Sequence, residues 1–145
     1  RVIGKNHAIL AKTFQKKMAK NSRPLVILSG GETSVTVKGN GIGGPNTEYL
    51  LSMLIELRKH KGIWAIACDT DGIDGFGDNA GAFIGPDSLE MSKSIGLDPK
   101  KFLSNNDSYN FFSKIQSLIS PGPTLTNVND FRAILIFPKG KKNFD

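Results

Sequence analysis

Hydrophobic and polar positions alternate between two periods along this chain, and the switches predict its elements. Ile3, Leu10, Phe14 and Met18 share one helical stripe with His7, which predicts a first helix ending near Asn21, with Pro24 as a stop signal beyond it. His7, on or at the edge of that apolar side, reads as a packing residue. Leu25 to Leu28 is a short unbroken apolar run and reads as a buried strand. Ser29 to Thr33 reads as a turn, and the alternating Ser34 to Val37 as a second strand, antiparallel to the first through Gly30-Gly31. From Pro45 to about Lys59 the pattern is helical and apolar on most of its circumference, so this helix should be well buried.

Ile63 to Cys68 is apolar throughout, as a central strand would be. Ala80 to Ile84 reads as a short strand, Pro86 to Ile95 as a helix stopped by Gly96, and Asp98-Pro99 as the start of a short helix to about Leu103. An aromatic helix over Tyr109 to Ile115, a rigid turn over Ser120 to Thr124 and a last strand over Phe131 to Phe137 complete the series. Strands and helices alternate, which predicts an α/β fold, a three-layer sandwich with a mixed, mostly parallel sheet.

Composition narrows this picture. With 145 residues, 39% of them hydrophobic, the chain is long enough for one domain with a real core. It starts with Arg1 inside a helical pattern, which reads as a domain of something longer; no secretory signal or bilayer-length apolar stretch is visible. A single cysteine, Cys68, excludes an internal disulfide framework and fits a reducing, cytoplasmic setting. With no histidine near it in sequence, Cys68 reads as a small buried core residue rather than a nucleophile. The net charge of +6 sits mainly at the two ends, with Lys12, Lys16 and Lys20 on one helix face and Lys139, Lys141 and Lys142 behind. Little aromatic interleaving accompanies these lysines, so a solvated face is the better reading than a nucleic-acid surface. An anionic small-molecule partner suits the balance equally well.

The candidate chemistry centres on Lys38 to Glu48, where glycines stand at 39, 41, 43 and 44 just ahead of Pro45. Glycines permit close approach to a ligand, and Pro45 fits the first helical position, where no amide hydrogen is needed. A helix start carries unpaired N–H groups and partial positive charge, so Gly43 and Gly44 are candidates to hold a carboxylate or phosphate. Gly39-x-Gly41-x-x-Gly44 also matches the dinucleotide fingerprint formally, but the lead-in alternates where the usual strand is buried on both faces. The phosphate-loop ending Gly-Lys-Ser/Thr is absent.

Asp69, Asp71, Asp74 and Asp78 crowd one loop after a predicted strand, where ligands bind in open α/β sheets. Such carboxylates can hold Mg²⁺ or act as bases, although Asp and Gly are also ordinary turn residues. The calcium-loop pattern fails at Ile73, and one cysteine with two scattered histidines gives zinc no ligand set. Two further polar runs, Asn105 to Ser108 and Thr124 to Asp130, each serve as helix cap or turn when taken alone. Together with the glycine junction and the aspartate loop they predict one shared cleft.

Five segments in this order, Ser29-Gly30-Gly31-Glu32-Thr33, Gly41 to Glu48, Thr70 to Gly75, Asn105 to Tyr109 and Gly122 to Asp130, resemble the MOFRL domain, the C-terminal half of the glycerate 2-kinase family. The resemblance runs from Pro24 to Ile136. It implies that residues 1–145 form one MOFRL-like domain, that a Rossmann-like N-terminal kinase domain precedes it in the same chain, and that the isolated piece does not turn over substrate. It implies transfer of the ATP γ-phosphoryl group to D-glycerate with Mg²⁺. Asp71, Asp74 and Asp130 become catalytic candidates, with Asp71 and Asp74 toward the metal. Glu32, Gly43, Gly44, Asn46, Asn106, Thr126 and Asn127 become candidates for substrate or phosphate. Two positions depart from the family pattern: Pro45 where many members carry Arg, and Leu125 where Gly is common. An NAD(P)-dependent hydroxypyruvate reductase and a non-catalytic anion-binding domain are the alternatives.

Overall fold

The computed structural model describes residues 1–58 and 60–141; Lys59, where the reading above ends the long helix, and Lys142 lie outside them. Helices α1 (Val2–Lys17), α2 (Pro45–Leu57), α3 (Ser88–Ser94), α4 (Pro99–Ser104) and α5 (Ser108–Lys114) combine with strands β1 (Leu25–Gly31), β2 (Ile63–Asp69), β3 (Gly81–Ile84), β4 (Leu118–Ile119) and β5 (Asp130–Ile136). The sheet order is β1-β5-β2-β3-β4.

Every pairing in this sheet is antiparallel, which corrects the expectation of a mostly parallel sheet. The reason lies in the last strand. β1 and β2 are joined through α2 and run in the same direction, as alternation predicts, but β5 inserts between them and runs against both. Periodicity reports where strands are, not which gap a distant strand fills. Ser34 to Val37, predicted as a strand, belongs to no strand, and β1 instead continues through Gly30-Gly31.

The core lies between one face of the sheet and the helices. Ile63, Ala65, Ala67, Ile84, Ile134 and Ile136 point into it and meet Leu50, Leu51, Met53, Leu54 and Leu57 of α2. α1 packs on α2 and buries Gly4, Ala8 and Ala11, not the large stripe; Gln15, also buried, donates to the Lys61 and Phe137 carbonyls, and Ile3, Leu10 and Phe14 remain partly exposed. Small residues win that face because the helices touch. A Cβ on Gly4 would lie 2.2 Å from the Tyr49 carbonyl oxygen.

The opposite face of the sheet is also apolar. In register across the strands stand Val26, Leu135 and Trp64, then Leu28, Ala133, Ile66 and Phe83, then Gly30, Phe131, Cys68 and Gly81. Cys68 is thus half-buried on this outer face rather than in the core, and burial together with the nearby Asp74 charge pushes its thiol up to about 11. The described residues therefore form two layers, not three.

Candidate functional site

The polar segments gather at one end of the sheet. Gly31 at the end of β1, Asp130 at the start of β5 and Asp69 at the end of β2 stand in register there, and α2 begins beside them. This convergence was the central expectation. What the segments do on meeting differs from it.

The start of α2 has an anion, and the anion is Asp74. The Asn46 and Thr47 amides each donate to the Asp74 carboxylate at 2.9 Å, and the Thr47 hydroxyl donates to it at the same distance. Gly44 supplies the N-cap position, and a side chain there would collide with Asp74. Burial pushes the Asp74 carboxyl above its ordinary range, while these donors hold it in the opposite direction. Asp74 is 2% exposed. A helix start thus attracts negative charge as the sequence suggested, but Gly43 and Gly44 present few free amides to a ligand, because the Gly44 amide donates to Thr47 Oγ1 at 2.9 Å.

The glycine loop approaches the protein itself. The Gly41 amide donates to the Asn105 carbonyl, that of Ile42 to the Asp107 carboxylate, and those of Lys38 and Gly39 to the Asn106 side chain. A Cβ at Gly39, Gly41 or Gly43 would lie within 2.7 Å of Asn105, Asp107 or Ser108 atoms. Close approach is why glycines stand there, and its partner is residues 105–108. The dinucleotide reading loses its support, since these amides are engaged and the loop is not flanked by neighbouring parallel strands.

Behind the helix start lies a buried knot. Asn46 Nδ2 donates to Asp130 Oδ1 at 2.7 Å and to Asp74 Oδ1 at 3.3 Å. Arg132 pairs with the other Asp130 oxygen and donates to Thr33 Oγ1, which itself donates to Asp130 at 3.1 Å. The Arg132 guanidinium also lies over the Tyr49 ring, 5.2 Å from its centroid. A second buried group is Glu48, 2% exposed, which accepts from Arg1 at 2.7 Å and from Asn106 Nδ2 at 2.5 Å.

Asp71, Thr126 and Asn127 stand apart, at the surface. Asn127 Nδ2 donates to Asp71 Oδ2 at 3.3 Å, Asp71 Oδ1 accepts from the Ile73 amide, and Thr126 is exposed. The metal role expected of Asp71 with Asp74 does not fit this arrangement. Both Asp74 oxygens already accept from N–H and O–H donors inside the protein, and no group of three His, Cys, Asp or Glu suited to a metal occurs among the described residues.

A cavity of about 550 Å³ opens beside the knot. Its walls are the start of α1, the passage from Glu32 to Lys38, and Pro45, Glu48 and Tyr49 of α2. Of the predicted site residues only Glu32 lines it; Thr33, Ser34, Thr36, Lys38, Glu48 and Arg132 escaped the reading. A signal for the last two was present: Glu48 and Arg132 each sit beside the apolar run of a buried element, and a charge placed there needs a partner.

The MOFRL family model matches residues 25–130. The chain is 52% identical over 94% of its length to an Agrobacterium vitis protein named for hydroxypyruvate reduction, spanning 36% of that protein. It is 42% identical over 90% of its length to the D-glycerate 2-kinase of Thermotoga maritima, spanning 31% of it. A crystal structure of the Thermotoga maritima glycerate kinase matches with a TM-score of 0.87 over 92% of this chain and 32% of that one. The chain thus spans about a third of the length of the relatives it matches.

Proposed function

The chain belongs to the MOFRL family, and from that premise we propose that it is the C-terminal domain of a glycerate 2-kinase whose full polypeptide, in the cytoplasm, phosphorylates D-glycerate on its 2-hydroxyl. The carrying observation is the cavity beside α2, where a cation and hydroxyls join apolar walls. Its lining suits a small hydroxy acid: Lys38 has no side-chain partner among the described residues and offers a cation to a carboxylate, and Ser34 and Thr36 offer hydroxyls. Thr33 links the cavity wall to Asp130, and Asn46 links Asp130 to Asp74, so the knot holds the wall at a fixed position.

ATP, carried with Mg²⁺, supplies the transferable phosphoryl group when bound. The bond from phosphorus to the bridging oxygen of ADP breaks as the bond to the substrate oxygen forms, and the hydroxyl proton passes to a base. Such a reaction needs in-line placement and charge neutralisation more than covalent help. In this reading Lys38, Ser34 and Thr36 orient the acid, and Asp74 and Asn106 keep the loop and helix start rigid. The nucleotide is held chiefly by the remainder of the polypeptide.

The test is an assay of full-length protein with D-glycerate, ATP and Mg²⁺, with 2-phosphoglycerate as the expected product. Lys38→Ala should raise the KM for D-glycerate at least tenfold with little change in kcat. ADP release at background level from folded protein, with NADH oxidised on addition of hydroxypyruvate, would replace this reading by the reductase.

A further inference from the structure

The outer face of the sheet, from β1 across β5 and β2 to β3, carries no charged residue at any register position. At ~4.8 Å between strands and ~6.8 Å between successive residues on one face, the grid covers on the order of 400 Å². An antiparallel sheet with one face in water alternates apolar with polar positions. This sheet instead places large apolar side chains on both faces: Leu28 is 66% exposed, Val26 52% and Phe131 44%. A dent of about 240 Å³ lies in the middle, floored by Trp64, Ile66, Phe83, Ala133 and Leu135, with almost no polar surface.

We propose that this face is the docking surface for an amphipathic helix of the same full-length polypeptide, lying outside these 145 residues, that sets a large apolar side chain into the dent beside Trp64. The inference rests on the reading of the protein as a chain as long as its relatives, of which this one spans about a third. That length is what favours an intramolecular cover over a second copy. A helix suits the face better than another sheet, because a single central dent takes one projecting side chain, and the opposite face of the same sheet is covered in that way by α2.

Hydroxyl-radical footprinting of the full-length protein, without substrates, tests this. Each residue's oxidation rate is compared with its rate in the urea-unfolded protein. Phe83 and Phe131, at 38% and 44% exposure, would be protected only about two- to threefold if the face were bare. The expected result is at least tenfold protection of both, approaching that of the fully buried Phe111, in a protein that sediments as a monomer. Protection below tenfold overturns the proposal, as does protection lost on dilution from dimer to monomer, which would assign the face to a second copy. Because no turnover is read, a protected but inactive protein keeps the docking surface and removes only the kinase reading.

Discussion

Two residues show how local chemistry and backbone geometry act at single positions. Leu125 stands at φ 60 with its side chain 98% exposed. A left-handed conformation costs an L-residue roughly 1–2 kcal/mol, and no burial offsets it here. Leu125→Gly should therefore stabilise the protein by up to about 1 kcal/mol, the greater backbone freedom of unfolded glycine taking back part of the gain. Urea midpoints of the two proteins check it. Asp74 is the opposite case, a buried acceptor of four hydrogen bonds at the head of α2. Asp74→Ala leaves the Asn46 and Thr47 amides without a partner, the Thr47 hydroxyl keeping the Gly44 carbonyl, and should cost about 2–4 kcal/mol. Thermal unfolding with hydrogen exchange of the Asn46 and Thr47 amides would register the loss at its source; unchanged exchange there would contradict the capping role.

Among the helix pairs, α1 and α2 make the most extensive contact, and the sequence pattern misjudged it. The large stripe Ile3, Leu10, Phe14 suggested the buried side, yet the buried side is Gly4, Ala8, Ala11 and Gln15. Hydrophobicity scales reward size, whereas a close helix crossing rewards smallness. Gly4→Ala forces a methyl to within 2.2 Å of the Tyr49 carbonyl, backbone that cannot yield easily. The expected cost is about 1–3 kcal/mol, read as a lowered thermal midpoint, with α1 the first element to lose hydrogen-exchange protection. The position of α2 was far more legible, since Pro45 at its first turn and the largely apolar run from Tyr49 to Leu57 leave little choice.

Across the whole molecule a chain of polar contacts ties α1 to the aspartate loop. His7 Nδ1 shares a 2.9 Å hydrogen bond with the Tyr49 hydroxyl, Arg132 covers the Tyr49 ring, and Arg132 leads through Asp130 and Asn46 to Asp74. Burial, with the Arg132 charge behind it, lowers the His7 pKa. A base with a lowered folded pKa contributes stability that is complete above its ordinary value near 6.5 and is lost as pH falls toward the folded value. His60 is lowered for the same first reason, burial, so both rings act in one direction. Unfolding free energies at pH 7.5 and 5.5 should thus show a loss on acidification, smaller in His7→Gln and smaller again when His60→Gln is added. Equal losses in all three proteins would place the dependence elsewhere.

The chain by itself determined most of the helices and strands, though not β4 and not the absence of a strand at Ser34 to Val37, because periodicity and unbroken apolar runs mark only the elements that bury a side. It also determined that the polar runs matter together, since four of them had to be placed around few elements. Only the tertiary structure decided that β5 enters between β1 and β2, that Ser34 to Val37 pairs with no strand, and that Asp74 rather than a ligand occupies the head of α2. The physical reason is range. Period and capping act within a few neighbouring residues, whereas sheet order and the pairing of Asp74 with Asn46 or of Asn106 with Glu48 join residues far apart along the chain, chosen by which partners the completed core brings within 3 Å.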